Sequence, residues 1–457
     1  MTASVHTTTQ EPVEPSRSRR ALVAGSVGNF IEWYEFGVYG YFATIIAANF
    51  FTPEGGGDVE ALIKTYASFA LAFFFRPVGA AFFGRLGDRI GRRPTLVLVI
   101  LLMTGATTLI GLLPTYATLG AAAPWLLTLL RVVQGLSAGG EFGGAVSIMT
   151  EFAPPGKRGL YGAWQSFTVA LGLLGGAGAA ALLTVVLTQA DLESWGWRLP
   201  FLATLPMGLA ALWLRLRMEE TPAFRRTKGE AARTGRQEEP DRAPGSQGPA
   251  EGPAVAPRPG EVARAIALGA GRLMGWSAAG YTFLVVLPSY LQSTLNASFR
   301  QALLATVLAN LGFALAIIPS GVLSDRIGRR WVMTAGAALV AVLAFPLLNL
   351  LQDPAAPTTA KGLAVLAAGA VVGLMAGPGP AMLAEMFPTR VRCTGLGLSY
   401  ALSNAVFSGC AGLIITEAIK WTGDADIPAY YVAVTCAISV AALLTLRGDD
   451  HRRSLRD

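Results

Sequence analysis

The chain has 457 residues, 53% of them hydrophobic and only 14% charged, with a mean hydropathy of +0.48. A soluble protein carries roughly a quarter charged residues, so this composition excludes a water-soluble globular fold and requires lipid as solvent. The formal charge of +7 comes from basic residues gathered mainly between apolar runs, which is a topology signal and not a nucleic-acid surface.

Residues 1–20 are polar and end in Arg17, Ser18, Arg19 and Arg20, like the start of a secretory signal. The apolar run that follows is long, holds Glu32 and Glu35, and has no clear cleavage site. A cytoplasmic tail and a retained first helix are therefore expected. Apolar stretches recur near 21–46, 61–83, 95–113, 124–149, 159–187 and 198–216. A second set lies near 264–288, 299–320, 331–351, 361–383, 393–417 and 428–446. Each is long enough to cross a hydrocarbon core of about 30 Å. The prediction is an all-α membrane protein with twelve transmembrane helices. One six-helix bundle covers 21–217, a cytoplasmic linker rich in Pro, Gly and charge covers 218–262, a second bundle covers 263–446, and a cytoplasmic tail covers 447–457. With the N-terminus inside, most Lys and Arg fall in cytoplasmic loops and tails. Lys64, Arg198, Arg300, Lys361 and Lys420 fall near the outer face, and Arg76, Arg131 and Arg272 within spans. That asymmetry predicts a multi-pass protein of the cell membrane with both termini cytoplasmic.

Gly84-Arg-Leu-Gly-Asp-Arg-Ile-Gly-Arg-Arg93 recurs as Gly321-Val-Leu-Ser-Asp-Arg-Ile-Gly-Arg-Arg330, matching at eight of ten positions. Each copy follows the second span of its half, so the halves are parallel, pseudo-symmetric repeats, as in a rocking carrier. The motif resembles the signature loop of the major facilitator superfamily. Further segments narrow the resemblance: Gly28-Asn-Phe-Ile-Glu-Trp-Tyr-Glu-Phe36, Arg131-Val-Val-Gln-Gly135 with Gly139-Gly-Glu-Phe-Gly-Gly144, Trp195-Gly-Trp-Arg-Leu-Pro-Phe201, Glu220-Thr-Pro-Ala-Phe224 and Glu385-Met-Phe-Pro-Thr-Arg-Val-Arg392. In this order they resemble the metabolite:H+ symporter family, which includes carriers for proline/betaine, α-ketoglutarate, citrate and shikimate. Glu35 stands where that family favours Asp. The resemblance implies gating at the two repeat loops, through Asp88 with Arg89 and Arg92, and Asp325 with Arg326 and Arg329. A carboxylate beside a neighbouring helix N-terminus would stabilise one access state through the helix dipole.

Charge inside a membrane is costly and marks function. The two histidines, His6 and His451, lie in the polar tails, so proton chemistry falls to carboxylates. Glu32 and Glu35 share a helix face near midplane, with Asn29 and Tyr39 on the same stripe. They are candidates for proton coupling, as is Glu141, which can instead pair with Arg76. Arg131 and Arg272 belong to opposite halves and can grip a carboxylate through two parallel hydrogen bonds. The alternative for both is pairing with a glutamate. Trp33, Tyr34, Phe36, Tyr39, Trp164, Trp276 and Tyr281 can line a cavity, whereas Trp195 and Trp197 read as interfacial anchors. Substrate-binding candidates are thus Asn29, Tyr39, Arg131, Arg272, Trp276 and Tyr281.

Gly135-Leu-Ser-Ala-Gly139 fits a nucleophile-elbow pattern, but it sits within a spanning helix without an intramembrane His. Cys393, Cys410 and Cys436 have no metal spacing. No enzyme, cofactor or metal is expected. The expectation is a monomeric carrier that takes up a small organic acid or zwitterionic osmolyte together with protons by alternating access. The competing reading is a proton-coupled antiporter exporting organic cations or drugs. The absence of proline from 159–187 disfavours it, because such exporters often carry Gly-Pro in span five.

Overall fold

The structure is a computed structural model describing residues 15–52, 58–90, 92–140, 142–151, 153–154, 156–216, 259–388 and 391–447. The described residues are overwhelmingly helical and form twelve spans. Span 1 runs from Pro15 to Tyr41, continues through Ala43–Ile46 and ends in a π turn at Ala47–Phe51. Span 2 is Asp58–Ile90 and span 3 is Arg92–Leu112. Span 4 comprises Ala122–Ala138 and Phe142–Glu151, and span 5 is Arg158–Val186. Span 6 comprises Leu199–Leu202 and Thr204–Leu216. In the second half, span 7 is Pro259–Tyr281 with a π segment at Thr282–Val286 and a last piece at Leu287–Ser293. Spans 8 and 9 are Phe299–Ile327 and Arg329–Gln352. Span 10 comprises Thr358–Ala376 and Gly379–Met386. Span 11 comprises Arg392–Ser403, a π segment at Asn404–Gly409 and Ala411–Thr422, and span 12 is Ile427–Leu444.

Among the described residues, nine helices are long and apolar enough to cross a membrane. Spans 1, 4 and 7 are not among them. Span 1 carries Asn29, Glu32 and Glu35, span 4 is interrupted by a turn at Gly139 and Gly140, and span 7 carries Arg264 and Arg272. These departures have a common reason, since a helix that lines an interior can keep polar groups away from lipid. Span 7 begins at Pro259, inside the stretch expected to be linker; the preceding part of that linker lies outside the described residues.

The halves meet along two symmetry-related seams, span 5 against span 8 and span 2 against span 11. The seams close because small residues face each other. A Cβ added at Gly159 would lie 2.5 Å from the Gly321 carbonyl oxygen, so only glycine lets the two backbones approach this closely. In the repeat loop, Gly328 turns the chain from span 8 into span 9 at φ 99°, in a region that favours glycine. Trp197, expected at the lipid interface, is instead fully buried and packs edge-on to Phe50 at 5.7 Å. Trp195 remains exposed.

Candidate functional site

Polar groups that cannot face lipid converge where spans 1, 2, 3, 4 and 7 meet. Span 1 supplies two carboxylates that diverge. Glu32 reaches span 2, its Oε1 lying 3.1 Å from Arg76 Nη2. Glu35 reaches span 3, where its Oε2 accepts a 2.7 Å hydrogen bond from the Thr107 hydroxyl. Thr107 in turn accepts from Gln134 Nε2 at 2.5 Å, and Gln134 Oε1 accepts from Arg131 Nη1 at 2.7 Å. Glu35 and Arg131 are therefore joined through two neutral side chains. Both are fully buried.

Aromatic rings make the wall. Phe36 lies under both guanidiniums, 4.4 Å from the Arg76 Cζ and 5.0 Å from the Arg131 Cζ. Arg76 also covers Phe73 at 4.3 Å, and Arg131 covers Tyr39 at 4.1 Å. Tyr39 is fixed by a 2.6 Å hydrogen bond with Ser68. The other half contributes Tyr281, whose ring stands edge-on to Phe73 at 5.4 Å and 6.2 Å from Trp33. Its buried hydroxyl has no hydrogen-bond partner among the described residues. Ring faces attract cations but leave N–H groups without strong acceptors. Accordingly, the Nε and Nη2 atoms of both Arg76 and Arg131 make no hydrogen bond among the described residues.

The remaining candidates fall elsewhere. Arg272 lies at the end of the bundle that carries the repeat loops. It donates to the Ala442 carbonyl at 3.3 Å and to Thr445 Oγ1 at 2.8 Å, so it ties span 7 to span 12 instead of joining Arg131. Asn29 leaves the expected stripe and donates to the Gln165 carbonyl and to Thr168 in span 5. The reason is geometric, because each i+3 step falls roughly 60° short of a full turn. Trp276 packs on Tyr400 at 6.1 Å, within the second half. Trp164 is exposed, and Tyr34 donates to the Pro200 carbonyl. Glu141 lies outside the described residues, as do the side chains of Asp88, Arg89 and Arg92.

Asp325 sits against the first turn of span 5. Its Oδ1 accepts from the Gly159 amide at 2.7 Å and its Oδ2 from the Leu160 amide at 3.0 Å. Arg329 braces it at 2.8 Å and reaches Glu385 at 3.1 Å, while Arg158 approaches the same Glu385 oxygen at 3.4 Å. Arg326 is exposed and stands outside this network. Contacts between halves also close the opposite end. Thr44 donates to Gln292 at 3.1 Å, Tyr66 meets Ser289 at 2.5 Å, and Asn310 donates to the Tyr41 hydroxyl at 3.3 Å. The buried cluster is thus shut from both faces.

A family model described as "Sugar (and other) transporter" matches residues 21–446. The chain is 33% identical over 446 residues to the proline/betaine transporter of Salmonella typhimurium (strain LT2), covering 96% of this chain and 85% of that protein. It is 35% identical over 434 residues to the alpha-ketoglutarate permease of Escherichia coli (strain K12), covering 93% and 92%. Its fold is shared with the major facilitator proton:xylose symporter XylE in complex with 6-bromo-6-deoxy-D-glucose, at TM-score 0.72 and 18% identity over 94% and 95% of the two chains. Matched in both bundles and aligned with these relatives over nearly its whole length, the protein belongs to the sugar (and other) transporter family and is a multi-pass membrane transporter.

Proposed function

We propose that the chain is a proton-coupled symporter that takes up a small organic acid or zwitterion by alternating access. It works as a monomer with both termini cytoplasmic. The observation that carries this reading is the buried cluster at the junction of the halves, where two arginines lie over one aromatic wall with two glutamates linked to them. A carboxylate cargo matches the guanidiniums. Glu35 is the proton carrier. It is buried, its Oε1 has no hydrogen-bond partner among the described residues, and Thr107 and Gln134 link it to Arg131. Cargo held in the cluster beside Arg131 changes the charge that Glu35 experiences, which is how binding and protonation become linked. Asp88 and Asp325 act as the gate latches of the two halves. The names of the relatives support this class of cargo, since they are carriers of proline, betaine and α-ketoglutarate.

The test is uptake by proteoliposomes containing the purified chain. With an inward proton gradient, labelled L-proline, glycine betaine or α-ketoglutarate should accumulate above its external concentration, and a protonophore should abolish the accumulation. Equal accumulation with and without the gradient would refute symport.

A further inference from the structure

We propose that Arg76 receives the cargo's carboxylate and that Glu32 holds its place until the cargo arrives. This rests on the reading of the chain as a carrier of carboxylate solutes and adds the residue that makes the class specific.

Three observations lead to it. First, Arg76 is almost completely buried, yet Phe36 and Phe73 lie under its guanidinium at 4.4 and 4.3 Å, with Trp33 at 5.4 Å. Rings balance part of its charge and use none of its N–H donors well. Second, Nε and Nη2 make no hydrogen bond among the described residues. These two atoms form the side edge of a guanidinium, and a carboxylate docks on that edge with two parallel bonds. Glu32 Oε1 is 3.1 Å from Nη2 but is not aligned to accept from it. Arg329, a cation committed to the fold, shows the contrast. It donates aligned bonds to Ser324 at 2.8 Å, Asp325 at 2.8 Å and Glu385 at 3.1 Å. Third, Arg76 faces the other half. Its neighbour Phe73 meets Tyr281 of span 7 edge-on at 5.4 Å, and the buried Tyr281 hydroxyl has no hydrogen-bond partner among the described residues. A carboxylate on Arg76 would therefore touch both bundles, as a group that triggers rocking must. In the cargo-free protein Glu32 supplies the negative charge; on binding, the incoming carboxylate replaces it.

The experiment measures affinity by thermal shift of the full-length purified chain. The probes are L-proline, glycine betaine, α-ketoglutarate and, as a control without a carboxylate, L-prolinamide. The wild type should respond to at least one carboxylate and not to prolinamide. Glu32→Gln should bind that carboxylate about tenfold more tightly, because an internal competitor that lowers the competent fraction is gone. Arg76→Lys keeps the charge but loses the two-pronged edge, and should weaken binding by about tenfold or more. The double variant Glu32→Gln/Arg76→Gln removes both members of this pair together, so it should fold and fail to bind. A double variant that binds as tightly as wild type removes Arg76 from the site, and unchanged affinity in Glu32→Gln removes the place-holding role. If the wild type responds to no carboxylate at all, the cargo class itself falls, an outcome distinct from either.

Discussion

At the scale of single residues, the two span 1 glutamates do different work although they lie three apart. Glu32 faces a cation directly, whereas Glu35 reaches its arginine only through Thr107 and Gln134. Glu35→Gln keeps an oxygen for the Thr107 hydroxyl but has no proton to exchange. It should fold, exchange labelled cargo down its gradient, and lose accumulation driven by a proton gradient. Accumulation with wild-type pH dependence in this variant would remove Glu35 from the coupling. Glu32→Gln instead leaves Arg76 without its carboxylate, and losing one member of a buried pair costs about 3–5 kcal/mol. Its thermal stability should fall and should recover in Glu32→Gln/Arg76→Gln. The sequence made these charges visible because any glutamate or arginine in an apolar run stands out. It did not reveal their partners. Thr107 is one threonine among several in span 3, and Gln134 carried only the weak signal of lying three residues after Arg131. For Arg272, hydropathy reports that the residue lies in a span but not which neighbours its long side chain meets, here Ala442 and Thr445.

At the scale of the element, the spans were legible because their length and apolarity are set by the bilayer. The interruptions were less so. The π segment at Asn404–Gly409 carries no proline, so little in the local sequence marks it, whereas Thr282–Val286 lies just before Pro288, which lacks the N–H that would bond the Leu284 carbonyl. The contact between Asp325 and span 5 joins residues 165 and 166 positions apart; the repeat and the resemblance pointed to the loop, while the partner amides needed the fold. That contact stabilises closure at the repeat-loop end. A carboxylate at a helix N-terminus contributes about 0.3–1 kcal/mol, rising to about 2 kcal/mol where partly buried. Asp325→Asn should therefore shift the equilibrium between access states by up to about thirtyfold, since about 1.4 kcal/mol corresponds to a factor of ten. Turnover should change by a comparable factor while cargo affinity measured at equilibrium changes less. Lost affinity with unchanged turnover would contradict the latch.

At the scale of the whole molecule, the described contacts join the halves on both sides of the buried cluster, and transport requires each end to open in turn. Topology comes first. A cysteine introduced at Asp191 or Asp424 should react with an impermeant thiol reagent applied outside intact cells, and one at Gly245 should not; labelling at 245 would invert the arrangement. The rocking itself can then be tested with the chain's own chemistry. At the repeat-loop end, the Cys393 thiol lies 3.2 Å from the Ser147 hydroxyl in the other half. Ser147→Cys alone thus places two thiols side by side across the seam, and mild oxidation should join them. At the opposite end, Thr44 and Gln292 meet at 3.1 Å. With Cys393→Ala, a short thiol cross-linker should join Thr44→Cys to Gln292→Cys. Either link holds one gate shut, so either should abolish transport. Reductant should restore it in the first case, and a cleavable linker in the second. The two locked forms should differ in access. The chain linked at the repeat-loop end should bind cargo offered from the far side only, and the chain linked at the far end should bind it from the repeat-loop side only. Normal turnover with either link fully formed would show that the halves do not rock about this cluster.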